Sequence, residues 1–156
     1  MAPWPRTDPT YATLYELGRC AIYKCEFQGE TSVIATIYGA TGGHINLAAA
    51  QRTDMILGCI CDQLMQEPHT PVAILGDLNA EPEDIPTLQD MLENKGWRDV
   101  GHHANIWGGE PDQPTCKAHN ANEETRRDYV FANPLFVERI EGFEVCLLYT
   151  SDAADE

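Results

Sequence analysis

The chain has 156 residues, with 10 Lys and Arg against 25 Asp and Glu and a formal net charge of -15. That length suits one domain, or most of one, and the 43% hydrophobic, 22% charged composition excludes a disordered or fibrous chain. No apolar run reaches the roughly 18 residues of a membrane span, the N-terminus lacks a secretory apolar core, and the acid excess argues against a duplex binder with a broad basic face.

Residues 1–14 read as a Pro- and Thr-rich lead-in. From Gly18 to Phe27 the chain alternates as a half-buried strand, Gln28-Gly29-Glu30 forms a turn, and Ser32 to Tyr38 is a second strand rich in β-branched residues. The two make an antiparallel hairpin. A loop with adjacent glycines follows from Gly39 to Gly43. Asn46 then caps a helix running to about Gln66, with Ile56, Ile60 and Leu64 on one face. Pro71 to Leu75 is the apolar run of a central strand. Glu83 to Pro86 opens a second helix that Gly96 stops. Residues 97–125 read as loop with one short strand near Thr115. Asp128 to Ala132 is a strand, and Phe136 to Val145 is expected to be another. The sum is a layered, mixed α/β domain.

Six cysteines are scattered through these apolar stretches, where Cys behaves as a small hydrophobe. Cys116 and His119 have a ligand-like spacing, but no second pair completes a zinc site. Reduced thiols fit an intracellular chain, cytoplasmic or nuclear.

The segment Leu75-Gly76-Asp77-Leu78-Asn79-Ala80-Glu81-Pro82 carries the chemistry. An apolar strand ends and is followed at once by a carboxylate and a carboxamide, at the strand exit where layered α/β folds bind ligands. If the chain stays extended, Asp77 and Asn79 present to one side. A carboxylate orients or deprotonates water, and an amide donates to a developing oxyanion. By itself the segment also fits a plain turn. Thr125-Arg126-Arg127-Asp128-Tyr129-Val130-Phe131 puts a second Asp at the mouth of an apolar strand, where an ion pair with the arginines is the alternative.

Together these segments resemble the endonuclease/exonuclease/phosphatase superfamily of DNase I-like enzymes. Gly76, Asp77 and Asn79 match its Gly-Asp-x-Asn, and Arg126, Asp128, Tyr129, Val130 and Phe131 match its Arg-x-Asp-Tyr-Val-Phe. Pro114-Thr115 resembles the Thr ahead of that strand. Ile37 to Thr41 resembles its Tyr-x-x-Asn, with Thr41 in place of Asn. The resemblance implies a four-layer αββα sandwich, incomplete here, and phosphodiester hydrolysis dependent on Mg²⁺ or Mn²⁺. In that frame Asp77 activates or positions water, and Asn79 stabilises the phosphoryl oxygens. Tyr38 does the same or holds the metal network, and Asp128 orients a catalytic His. Thr41, Thr115 and Arg126 are candidate substrate contacts.

The resemblance covers residues 15–145, read as a partial domain. The metal ligands are unknown, because the family's Gln-Glu strand and its terminal Ser-Asp-His are not in the chain. Glu16 lacks the Gln-Glu context. Residues 146–156 are similar to one reading frame of a transposase-type sequencing adapter and read as a non-native tail. His44, His102, His103 and His119 read as loop histidines, and Trp97 and Trp107 as edge packing. Nucleic acid is the expected substrate, through a nuclease activity with retroelement-type endonucleases among the relatives. A phosphatase for a lipid or sugar phosphate, or an inactive module on the same fold, is the alternative.

Overall fold

The computed structural model describes residues 1–117 and 122–146. His119 and residues 147–156 of the expected tail lie outside the described residues. Residues 1–14 are not a lead-in. Ala2–Pro3 forms a short strand, β1, and Pro9–Glu16 forms a helix, α1, whose N-cap Asp8 accepts from the Tyr11 N–H at 2.8 Å. Trp4 is 4% exposed and its indole N–H donates to Gln63, while the fully buried Tyr11 hydroxyl accepts from the Ile22 N–H at 2.9 Å. Two isolated aromatics buried against distant segments leave no periodic signal, so composition alone misreads this end.

The expected hairpin is present as β2 (Cys20–Phe27) and β3 (Glu30–Tyr38). Gln28 and Gly29 both take positive φ, 51° and 80°, which makes a two-residue turn whose twist matches the flanking strands. That turn sets the register, with Cys20 opposite Ile37 and Ile22 opposite Ala35. Helix α2 (Leu47–Leu64) starts at Asn46, whose side chain accepts from the Ala48 N–H at 2.9 Å. It is a crossover that lets β4 (Val72–Asp77) lie parallel to β3. A 3₁₀ turn at Pro82–Asp84 precedes α3 (Pro86–Asn94), and Asp54 of α2 accepts from the Thr87 N–H at 2.8 Å. Two further strands, β5 (Arg98–Asp99) and β6 (Asp128–Ala132), complete a six-stranded sheet of order β1-β2-β3-β4-β6-β5.

The last segment departs from expectation. Phe136 to Val145 holds no strand. Instead Pro134–Val137 is one helical turn, α4, and residues 138–146 carry no regular element. Asn133 causes this, because its side-chain oxygen accepts from the Phe136 N–H at 2.9 Å and Pro134 occupies the first helical position. The strand expected near Thr115 is a single bridge between Cys116 and Thr125, and β5 lies in what reads as loop.

Ile22, Ala35, Ile74 and Phe131 share one row and one face of the sheet, and they join the core with α1, α2 and α3. The fold is a mixed α/β layering of one open sheet under helices, two of the four layers that the resemblance implies. No helix among the described residues is long and apolar enough to cross a membrane.

The core also sets the thiol chemistry. Burial pushes the Cys20 thiol up to about 12 and the Cys61 thiol up to about 11. A folded-state value above the unfolded 9.0 leaves the thiols' contribution to stability intact below pH 9, and it is lost as pH rises from 9 toward 12. Native iodoacetamide labelling at pH 8, read by peptide mass, should modify exposed Cys146 and spare Cys20 and Cys61. Equal labelling of all three would contradict this packing.

Candidate functional site

Three of the expected residues meet through strand register. Tyr38 of β3 pairs with Asp77 of β4, and Asp77 pairs with Asp128 of β6. Neighbours in a row share one face and stand about 4.8 Å apart, so a phenol and two carboxylates line one end of the sheet. Tyr38 is 48% exposed and Asp128 is exposed, while Asp77 is half-buried between them. Residues 51 apart in sequence thus become neighbours because β4 and β6 are antiparallel partners.

Two close approaches hold this row. A Cβ added at Gly76 would lie closer than 3.0 Å to the Ile37 carbonyl oxygen, and one at Gly39 would do the same to the Leu78 oxygen. The exits of β3 and β4 are therefore packed backbone on backbone. The Gly39 N–H donates to the Asp77 main-chain carbonyl oxygen at 2.8 Å, and the Asn79 side-chain amide donates to the Gly39 main-chain oxygen at 3.0 Å. From α2, the Thr53 hydroxyl accepts from the Ala40 N–H at 2.8 Å and reaches the Leu78 oxygen at 3.4 Å. Thr53 and Asn79 are two of the three buried polar residues among those described. Both tie the exit loops together, so the polar interior is concentrated under the row.

Asp77 and Asn79 do not present side by side from an extended chain. Asn79 takes φ 50°, its backbone N–H donates to Asp77 Oδ1 at 2.8 Å, and it is 7% exposed. This is an Asx turn, in which one carboxylate oxygen organises the loop. Asp77 Oδ2 has no hydrogen-bond partner among the described residues. Asn79 spends one amide hydrogen on Gly39 and keeps the other.

Thr115 Oγ1 accepts from the backbone N–H groups of Arg127 and Asp128 at 3.0 and 3.1 Å, which fixes the start of β6. Arg126 does not pair with Asp128. Its guanidinium is 14% exposed, bound to Asp99 and to Asp112 at 3.1 Å, and stacked 4.4 Å from the Tyr129 ring centroid. This clamp fastens the 97–115 segment to β6. Burial raises the Tyr129 phenol to about 12, so it stays a neutral donor to the Arg126 oxygen. Thr41 is exposed in the glycine loop. A cleft of about 380 Å³ opens beside Asp128, with Leu75, Val130, Gln113 and Thr115 in its lining.

His44 is not the exposed loop residue its sequence context suggests. Its Nδ1 lies 3.0 Å from Glu81 Oε1, and its buried Nε2 has no partner. His102 pairs with Asp112 at 2.9 Å, and burial together with His102 pulls the neighbouring His103 down from its ordinary value. No histidine bonds to Asp128 among the described residues.

Two residues of the site escape sequence reasoning. Thr53 interrupts an otherwise apolar helix face formed by Ala49, Ala50, Ile56 and Leu57, and a lone hydroxyl there is the available signal. Arg19 is the other. Continuing the hairpin register one residue past Cys20–Ile37 sets it opposite Tyr38, and the Tyr38 N–H donates to its oxygen at 2.8 Å.

The divalent cation implied by the resemblance meets an incomplete donor set. Among the described residues no three His, Cys, Asp or Glu side chains converge as ligands. The row supplies Asp77 and Asp128 alone, so these residues do not fit the ion by themselves.

No family model matches the chain, and no curated protein matches it. Solved structures do. Humanised zebrafish (D. rerio) TDP2 carrying 14 mutations superposes with a TM-score of 0.55 at 16% identity, covering 73% of this chain and 44% of that one. D. rerio TDP2 complexed with single strand DNA product gives 0.51 at 17%, covering 73% and 46%. The human Nocturnin catalytic domain with bound sulfate anion gives 0.50 at 16%, covering 74% and 41%. The likeness is one of fold: the chain shares the DNase I-like α/β architecture of these structures. The chain spans less than half the length of these structures.

Proposed function

We propose that this chain carries part of the centre of a phosphodiester-hydrolysing nuclease. The observation that carries the reading is the register row Tyr38–Asp77–Asp128, three separate segments brought to one sheet end. Asp77 accepts a proton from, or orients, the attacking water through the oxygen the Asx turn leaves available. The second amide hydrogen of Asn79 and the Tyr38 phenol donate to phosphoryl oxygens, and Asp128 holds a proton-transfer partner in place. Thr115 keeps Asp128 positioned, and Arg126 acts on substrate through the segment it clamps. Thr41 stands where the exit loop meets solvent.

The single strand DNA product on one structural neighbour and the sulfate on another support an anionic phosphoester substrate, nucleic acid first. A Mg²⁺ or Mn²⁺ requirement belongs to the same proposal, with ligands beyond the two carboxylates of the row. The net charge of -15 favours one second reading, a phosphatase for a lipid or sugar phosphate, because a small substrate needs no basic footprint.

A substrate panel of plain DNA, abasic DNA, RNA and inositol phosphates, titrated with Mg²⁺ and Mn²⁺, separates the two. Slow cleavage of a nucleic acid in preference to the inositol phosphates is expected. The reverse preference selects the phosphatase. Turnover of no substrate above the level of an Asp77→Ala control would sink both.

A further inference from the structure

We infer that Arg19 is a phosphate-binding residue of this site, and that the substrate carries a second phosphate beyond the one presented to Asp77, as a nucleic acid strand does. This rests on the reading of the row as a phosphoester site. Arg19 lies one residue before β2, where its oxygen accepts from the Tyr38 N–H, so it extends the row of Tyr38, Asp77 and Asp128 on the three adjacent strands β3, β4 and β6. The guanidinium carbon lies 5.1 Å from the Tyr38 ring centroid, and Nη1 donates to the Gly39 oxygen at 3.1 Å. That carbonyl also receives the Asn79 amide, so Arg19 is fixed to the knot beneath the row.

The charge is what this geometry leaves unused. Acids outnumber bases 25 to 10 in the chain. Arg6, Lys24, Lys95, Arg126 and Arg139 each have a carboxylate partner. Arg19 forms no ion pair among the described residues, and neither do Arg52, Arg98, Lys117 and Arg127; Arg19 differs from these in its place beside Tyr38 at the end of the row. An aromatic face and a carbonyl orient a guanidinium without neutralising it. Arg19 starts two strands from Asp77, about 10 Å along the sheet at the usual strand spacing. An anion held there is therefore distinct from the phosphate at Asp77. A single-phosphate substrate fills one of these positions, and a strand fills both.

The test reads binding, not turnover. Fluorescence anisotropy with a dye-labelled ten-residue oligothymidylate is compared with thymidine 5′-monophosphate as competitor, for wild type, Arg19→Gln, Arg19→Lys and exposed Arg52→Gln. Arg19→Gln should weaken the oligonucleotide about tenfold and flatten the slope of log K against log salt by about 0.7. Mononucleotide binding should stay within about twofold, the size of an untouched site. Arg19→Lys should restore the salt slope, and Arg52→Gln should change nothing. If Arg19→Gln loses the fold by circular dichroism, Arg19→Met repeats the reading with the stem still packed on Tyr38. An unchanged slope would make Arg19 a purely structural clamp, and equal loss for both ligands would remove the second phosphate. Failure of wild type to bind the oligonucleotide would also overturn the inference. Failure of the hydrolytic reading shows instead as absent turnover in the substrate panel.

Discussion

Replacing Asp77 by Asn should lower hydrolysis of the preferred nucleic acid by about 10²–10⁴-fold, the span expected for loss of a positioned proton acceptor, while leaving the fold in place. The side chain has two separable duties. One oxygen accepts from the Asn79 N–H at 2.8 Å and shapes the exit loop, and an Asn at position 77 keeps an oxygen for that bond. In the proposed reaction the other oxygen carries the chemistry, and there an amide cannot accept a proton from water. Stability should therefore shift by less than about 1 kcal/mol, the worth of a single retained or altered hydrogen bond. Asp77→Ala loses both duties and should cost about 1 kcal/mol more in stability as the turn opens. Single-turnover rates and urea midpoints measured side by side separate the two. Cleavage by Asp77→Asn at the wild-type rate would remove Asp77 from the chemistry whatever its effect on stability.

This separation also explains how much of the molecule was legible in the sequence. The hairpin, α2, β4, α3 and β6 are readable because each pairs a period with local punctuation, such as Gln28-Gly29 or the Asn46 cap. Trp4 and Tyr11 are not, since their polar partners are Gln63 and Ile22, and neither aromatic belongs to a periodic run that announces its burial. After Asn133-Pro134 the apolar residues read as a strand, whereas the Asn133 side chain and Pro134 start a helical turn there. For the site, Asp77 and Asp128 stand out by motif, whereas their adjacency depends on an antiparallel pairing that motif spacing does not encode. Asn79 shows the limit most clearly. Its residue type fits an oxyanion donor, yet its positive φ commits it first to the loop knot. Arg19 was within reach, because a two-residue turn fixes a register that can be counted out to Tyr38.

Gly76→Ala should be the most damaging conservative change in the chain. Gly76 takes φ 148°, a conformation that side chains rarely adopt, and its new methyl would meet the Ile37 carbonyl oxygen, carbonyl carbon and nitrogen. That obstacle is the backbone of the neighbouring strand, so no rotamer relieves it. Overpacking costs about 1–3 kcal/mol and a strained backbone about 1–3 more. The sum, about 2–6 kcal/mol, takes a large share of the roughly 5–15 kcal/mol that holds a domain together. Relief requires β3 and β4 to separate at Ile37 and Gly76, the step before Tyr38 and Asp77, so residual folded protein should also lose the row. Gly58 supplies the contrast. It lies inside α2 with nothing within 4 Å of an added Cβ, and Gly58→Ala should stabilise by about 0.5–1 kcal/mol through helix propensity alone. Urea denaturation of the two variants gives opposite signs if the strand exits are packed as described. A Gly76→Ala stability within about 0.5 kcal/mol of wild type, inside the range of ordinary surface changes, would show that β3 and β4 do not approach so closely and that the row is not held at strand spacing.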